Sequence, residues 1–250
     1  MNTVPGDDRF RHRSRKTSEL VAREIVRDIV EQHLTPGEML PSEQAMLERY
    51  RVGRPALREA LRVLEVHGLL RMKPGPGGGP VVGTVTASAF GEMASLFFRL
   101  SGTTYRELIE ARLELEPMAA RLAAVRRNEA GLARLRDVLA AEEEADVDDD
   151  VAYTRLATRF HAAIGGASGN RVVDLLGNGL LELYEERLRV PLTPRAQRRD
   201  VWAAHRAIVD AIAAGDGARA EALTRASLDV ALHRLDELLP EVLDQVIDWA

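Results

Sequence analysis

The chain has 250 residues, 46% apolar and 29% charged, with a formal net charge of −5 and no cysteine. That length suits two domains or one large one, and the apolar content is ample for buried cores. The lack of cysteine excludes a disulfide framework and zinc-thiolate sites, and no apolar run approaches the ~20 residues that span a bilayer, so a soluble protein of a reducing cytoplasm is expected.

The charge is unevenly spread. Residues 1–80 hold 14 Arg or Lys against 11 Asp or Glu, whereas residues 81–250 hold 20 against 28. A basic head on an acidic body is what results when only the head meets phosphate, although a chance bias gives the same counts. Residues 1–16 crowd Arg9, Arg11, Arg13, Arg15 and Lys16 with little to bury, and are expected to form a disordered arm, either a solvated tail or a segment lying along phosphate. A first helix is expected from about Thr17 to His33, burying Leu20, Ile25, Ile29 and Val30, and Thr35-Pro36-Gly37 ends it.

Ser42 is placed to N-cap a short helix from Glu43 to about Tyr50, with Pro41 keeping the entering chain extended. Arg51-Val52-Gly53 makes a tight turn, and Pro55 falls in the first turn of the next helix, where its missing N–H is not needed. In that helix, which should run to His67, Leu57, Ala60, Leu61 and Leu64 form one buried stripe, while Arg54, Arg58 and Arg62 fall on another face. Guanidinium groups one turn apart at the start of such a helix can reach guanine O6 and N7 and the flanking phosphates. After Gly68 the period changes. Leu69–Lys73 and Pro80–Thr84 read as two strands joined by PGPGGGP, a loop whose backbone can approach a sugar-phosphate edge because no Cβ stands in the way, with Lys73 adding a cation at its base.

The run PGEMLPSEQAMLERYRVGRPALREALRVLEVHGLL, residues 36–70, is similar to the N-terminal domain of the GntR family of bacterial transcription regulators. The resemblance implies a winged helix-turn-helix of three helices and a two-stranded wing over residues 17–84. Arg54 and Arg58 would read bases, Gln44, Arg62 and Lys73 would take supporting or phosphate roles, and the 74–79 loop with Gly75 would lie at the minor groove. One departure is Gly53, where the family usually has a Ser or Thr that caps the recognition helix and touches phosphate. Gly can occupy an N-cap at a cost of only a few tenths of a kcal/mol, so a phosphate contact is lost and the helix is kept.

From Thr84 onward no strand is evident. Amphipathic stretches at about 86–100, 104–127, 129–145, 150–166, 170–190, 194–214 and 217–239, with a last short helix at Glu241–Trp249, are punctuated by Gly, Asn, Asp and Pro. Six or seven consecutive helices with short connections mean an antiparallel bundle over residues 85–250. The acidic run Glu142–Asp150 reads as a solvated loop and helix cap.

RELIEARLELEPMAARLAA (106–124), FHAAIGGASGN (160–170) and HRAIVDAIAAGDGARAEAL (205–223) resemble the helical FCD domain of the FadR branch of that family. The resemblance implies a ligand-binding and dimerisation unit. Many members of the branch hold a divalent metal through one Asp and three His. Here His161 and His205 stand at two of those positions, while Ala157 and, by gapless alignment, Ser227 replace the Asp and the last His. Two neutral imidazoles are too few ligands unless Asn170, a nearby acid or the effector completes the shell, so no metal cofactor is expected. Both histidines could equally be hydrogen-bonded core residues, since each lies on an apolar helix face. Arg112 matches a pocket-facing arginine of the family. A carboxylate effector would give it a bidentate partner, and the alternative is a salt bridge to Glu116, Glu185 or Glu186. Members that respond to fatty acyl-CoA also lack the metal, which leaves an acyl effector open.

No HExxH, nucleophile elbow or close acid–base pair supports an enzyme. The expectation is a ligand-responsive transcription regulator, a repressor, binding a palindromic double-stranded DNA operator as a homodimer with a small-molecule effector in the bundle. The alternative is a constitutive DNA-binding regulator whose bundle serves only to dimerise.

Overall fold

A computed structural model describes residues 8–75, 77–145, 148–187 and 192–248, and within these all side chains except those of 8–16 and 184–187. Two compact units divide between Val85 and Thr86. No described helix is long and apolar enough to cross a membrane.

The N-terminal unit opens with α1, Asp8–Glu31, followed by α2, Glu43–Tyr50, and α3, Arg54–Val66. α1 therefore begins within the expected disordered arm, whose residues 1–7 lie outside the described ones. Nothing in Asp8–Lys16 breaks a helix, and extending a formed helix costs far less than nucleating one, so the basic run joins it. The buried face of α1 also differs from the expectation. Val21, Ala22 and Ile25 are buried and Ile29 half-buried, whereas Leu20 and Val30 are 60% and 66% exposed. Leu20 and Val30 each lie about 140° around the helix from Ile25, at 100° per residue, and cannot share its contacts. That face packs on Leu57, Ala60, Leu61 and Leu64 of α3, the expected stripe, around a fully buried Met46 from α2.

A buried carboxylate fixes α1 to α2. Asp28 accepts bonds from Arg49 Nε and Nη2 at 2.7 and 2.6 Å and from the Tyr50 hydroxyl at 2.6 Å. The Arg49 hydrogen bond outweighs the desolvation that opposes it and holds the Asp28 carboxyl below the usual carboxylate range. Ser42 Oγ accepts from Ala45 N at 3.3 Å, and Gly53 caps α3 without a side-chain bond, as the sequence predicts.

β1, Leu70–Lys73, pairs antiparallel with β2, Gly79–Val82, in the register Leu70↔Val82 to Lys73↔Gly79. The far edge of β2 is also covered. Met39 bridges Val81, Leu40 N donates to Pro80 O, and Val82 N donates to Glu38 O. Three extended residues between Gly37 and Pro41 are too short to leave a period in the sequence.

The C-terminal unit is a helical bundle of α4 Ala87–Ser101, α5 Tyr105–Arg126, α6 Glu129–Glu144, α7 Asp150–Ala167, α8 Arg171–Arg187, α9 Arg198–Ala214 and α10 Gly217–Leu238, with a one-turn α11 at Pro240–Leu243. α5 is central and packs on α7, α8, α9 and α10. Its alanines 119, 120 and 123 let neighbouring helices approach, and they meet Leu135 of α6, Phe160 and Ile164 of α7, and Ile208 and Ile212 of α9. Gly91 of α4 and Gly179 of α8 touch backbone to backbone. A Cβ on Gly91 would stand 2.9 Å from Gly179 O, and one on Gly179 would stand 2.5 Å from the Phe90 ring.

The final helix is shorter than expected. After Leu243 the chain extends, with Val246 bridging Thr104 and Ile247 N donating to Thr103 O, so backbone pairing with the start of α5 replaces helical bonds. Trp249 lies outside the described residues. The acidic run also departs from a solvated loop. Asp149 does cap α7, accepting from Val151 N at 2.8 Å, but Glu142 is fully buried.

Candidate functional site

Two surfaces carry chemistry, one in each unit. In the N-terminal unit Arg54, Arg58 and Arg62 are exposed along α3, on the face beside the leucine stripe that anchors it. Arg54 stands at the helix start, where the unbonded N–H groups add positive potential. Arg58 Nε lies 3.4 Å from Glu43 Oε1, a contact at the surface with Arg58 68% exposed, so its guanidinium is free to exchange partners. Gln44 is exposed and donates to Glu48 at 2.7 Å.

The wing presents Lys73 and Gly75 to solvent. Gly75 and Gly77 have φ of 96° and 78°, in the left-handed region, and a Cβ on Gly78 would stand 2.1 Å from Lys73 O. The loop is therefore compact enough that a side chain at 78 does not fit. Arg71, also exposed on β1, joins Lys73 on the same strand face, a cation that alternation along the strand could have revealed.

In the bundle, α5, α7, α9 and α10 and the segment before α9 enclose a cavity of about 80 Å³. Four of the five residues expected at an effector pocket line it, namely Arg112, His161, His205 and Ser227, and Ala157 lies among them. Asn170 does not. Its Oδ1 accepts from Val172 N at 3.1 Å and its carbonyl from Asp174 N, so it starts α8 and is spent as a cap.

Each imidazole is backed by a buried carboxylate. His205 Nδ1 lies 2.8 Å from Glu142 Oε2, and Glu142 Oε1 accepts from the Tyr153 hydroxyl at 3.0 Å. A carboxylate only accepts, so His205 donates from Nδ1 and its Nε2 is left as an acceptor. Burial pushes His205 below the usual imidazole range against the pull of Glu142, and the neutral ring stacks on Phe160 with centroids 4.1 Å apart. His161 Nδ1 lies 3.0 Å from Glu116 Oε2, close but poorly aligned for a hydrogen bond. Glu116 in turn accepts from Arg112 Nε at 2.6 Å. Burial alone would raise the Glu116 carboxyl, but Arg112 and His161 hold it at about 2. The salt bridge offered as the alternative for Arg112 is thus formed, with Glu116. The side chains of Glu185 and Glu186 lie outside the described residues.

This donor set does not fit a divalent metal. Two imidazoles, a methyl group at 157 and a hydroxyl at 227 occupy the four positions, and among the described residues no three His, Asp or Glu groups converge closely enough to hold an ion.

Sequence reasoning missed Glu142 and Arg234. Glu142 continues the buried face of α6 through Leu132, Leu135 and Leu139, so the helical period pointed inward at it despite its charge. Arg234 lines the cavity two turns after Ser227 on α10.

Comparison with known proteins is consistent along the chain. Residues 17–78 match the family described as bacterial regulatory proteins, gntR family, and residues 107–230 match the FCD domain. The HTH-type transcriptional regulator LutR of Bacillus subtilis is 33% identical over 200 residues, covering 78% of this chain and 90% of LutR. The HTH-type transcriptional regulator Mce2R of Mycobacterium tuberculosis is 32% identical over 227 residues, covering 87% of this chain and 90% of its own. The HTH-type transcriptional repressor NanR of Edwardsiella tarda is 29% identical over 171 residues, covering 67% and 65%. Among solved structures, a Streptococcus agalactiae GntR protein shares the fold, with a TM-score of 0.68 and 24% identity over 86% of this chain and 99% of that one.

Proposed function

This chain belongs to the gntR family of bacterial regulatory proteins and is a DNA-binding transcription regulator, not an enzyme; from that premise we propose that it is a homodimeric, effector-responsive repressor. Its α3 reads a half-site through Arg54 and Arg58, with Gln44, Arg62 and Lys73 on phosphate or in support and the Gly75 loop at the minor groove. The observation that carries this reading is the division of α3 into a fully buried leucine face and an exposed arginine face. In a site selected from random DNA, Arg58→Ala weakens specific binding by roughly 1–3 kcal/mol and leaves weak non-specific binding largely intact. Equal loss on selected and unrelated DNA removes Arg58 from base reading.

Dimerisation through the bundle is supported by α4. Met93, Leu96, Phe97 and Leu100 recur at helical spacing and are 41%, 39%, 65% and 79% exposed, an apolar stripe that a second copy would cover. A two-fold protein matches a two-fold operator. Light scattering that finds a monomer at micromolar concentration refutes the dimer. The cavity favours effector response over the constitutive alternative, because a unit that only dimerises has no use for an interior space lined by arginine, imidazole and hydroxyl groups. Repression follows the name of NanR, and the cytoplasm follows from the DNA partner.

A further inference from the structure

Among the described residues, three that are not glycine hold φ in the left-handed region: His33 at 53°, Arg51 at 53° and Arg127 at 49°. An L side chain is uncommon there because its Cβ crowds the following carbonyl. Two of the three have an account. Histidine is among the few types enriched in that region, and Arg127 lays its guanidinium over Gly215, where a Cβ would stand 2.7 Å from Nη2. Neither explanation serves Arg51.

Arg51 closes α2, with its N–H on the Leu47 carbonyl and Val52 N donating to the same oxygen at 3.3 Å. Glycine would close the helix equally well and with less strain, so the cap does not explain the arginine. The side chain is exposed and forms no hydrogen bond or ion pair among the described residues, whereas Arg49, two residues earlier, is spent on Asp28. Val52 packs on the core of the unit and Gly53 has no side chain, so Arg51 is the turn's one polar side chain. Three Cα steps keep it within about 11 Å of Arg54, at the same end of α3.

We propose that Arg51 binds a DNA phosphate beside the groove that α3 enters, without reading a base. This rests on the reading of α3 as the recognition helix. Side chains at the start of that helix point at base edges, while a residue in the turn before it stands outside the groove, where the strand backbone is what it meets. An exposed guanidinium with no protein partner has its planar fork available for a phosphate. The left-handed backbone is then strain held at a functional position. Because strain and contact belong to one residue, they separate in opposite directions when it is replaced: folding is held or gained, and DNA affinity is lost.

The test is fluorescence anisotropy of the full chain on a duplex selected from random DNA and on an unrelated duplex, over a series of KCl concentrations, with hydrogen exchange of the α2 and α3 amides as the measure of folding. Arg51→Gly should bind both duplexes about three- to tenfold more weakly, and its plot of log affinity against log salt should be shallower by about one per protomer. Its amides should exchange no faster than wild type, since glycine relieves the left-handed residue. Arg51→Asn, which also tolerates that region and carries no charge, should behave alike, and Arg51→Lys restores the charge and should recover most of the affinity. Loss on the selected duplex alone makes Arg51 a base reader and overturns the phosphate role. Loss with faster exchange in both uncharged variants shows a damaged turn and overturns it too. Wild-type affinity and salt slope in Arg51→Gly overturn it and leave α3 standing as the recognition helix if Arg58→Ala still loses the selected duplex. If both variants bind as wild type, the reading of α3 falls with it.

Discussion

Glu142 gives the sharpest test of the bundle's interior. Its carboxylate is fully buried and accepts from two buried donors, His205 Nδ1 at 2.8 Å and the Tyr153 hydroxyl at 3.0 Å. Glu142→Ala orphans both, and an unsatisfied buried donor costs about 1–3 kcal/mol. Tyr153 has a fallback in the Arg198 carbonyl at 3.4 Å, so its loss falls at the low end, and the total expected is about 2–4 kcal/mol. Glu142→Gln behaves differently. The amide oxygen can still accept from His205, and its N–H can donate to Tyr153, whose own proton turns to Arg198. Every group is then satisfied, and the cost is expected to be about 1 kcal/mol. Both tryptophans, 202 and 249, fall in the C-terminal half, so their fluorescence in a urea titration follows this unit. Glu142→Ala with a midpoint close to wild type refutes the buried network. Glu142→Gln as costly as Glu142→Ala shows that negative charge, not the hydrogen-bond count, is what the site needs.

The Asp28 carboxyl lies below its ordinary range in the folded chain, chiefly through its bond to Arg49, so its stabilising contribution is fully present above pH of about 4 and fades as pH falls through the lowered value. Asp28→Asn should therefore expose α1 amides to hydrogen exchange at neutral pH, and the difference from wild type should shrink in acid; a difference that is constant with pH is inconsistent with this account. Gly78→Ala drives a Cβ to 2.1 Å from a backbone oxygen, straining the wing by about 1–3 kcal/mol, and should weaken operator binding while the tryptophan-reported unfolding stays unchanged. Unaltered binding would remove the wing loop from the DNA interface.

The elements were legible wherever punctuation and period agreed. Ser42, Thr104, Asn128 and Asp216 cap helices through their side chains, Gly102 and Gly215 end them in the left-handed region, and the bundle helices fall within a few residues of their expected bounds. The leucine face of α3 was legible for the same reason, since its spacing is helical and its residues are apolar. What failed was the inference from residue type to burial. Leu20 and Val30 are apolar but lie off the face that α3 covers, and Glu142 is charged but lies on one. Only the neighbouring helix decides such cases. Arg112 and Arg234 show the same limit. Sequence marks both as cations in a bundle, but which is neutralised depends on Glu116, one turn along, and on the neutral Leu192 and Gln197 across the cavity.

The glycine contact between α4 and α8 has a mechanical consequence. Helices joined by interlocking side chains can slip, because rotamers offer alternative seatings. Gly91 and Gly179 leave little room for that, since a Cβ on Gly91 would meet the Gly179 carbonyl oxygen and one on Gly179 would meet the Phe90 ring. A side chain at either glycine would force α4 away from α8, and with it the stripe of Met93, Leu96, Phe97 and Leu100.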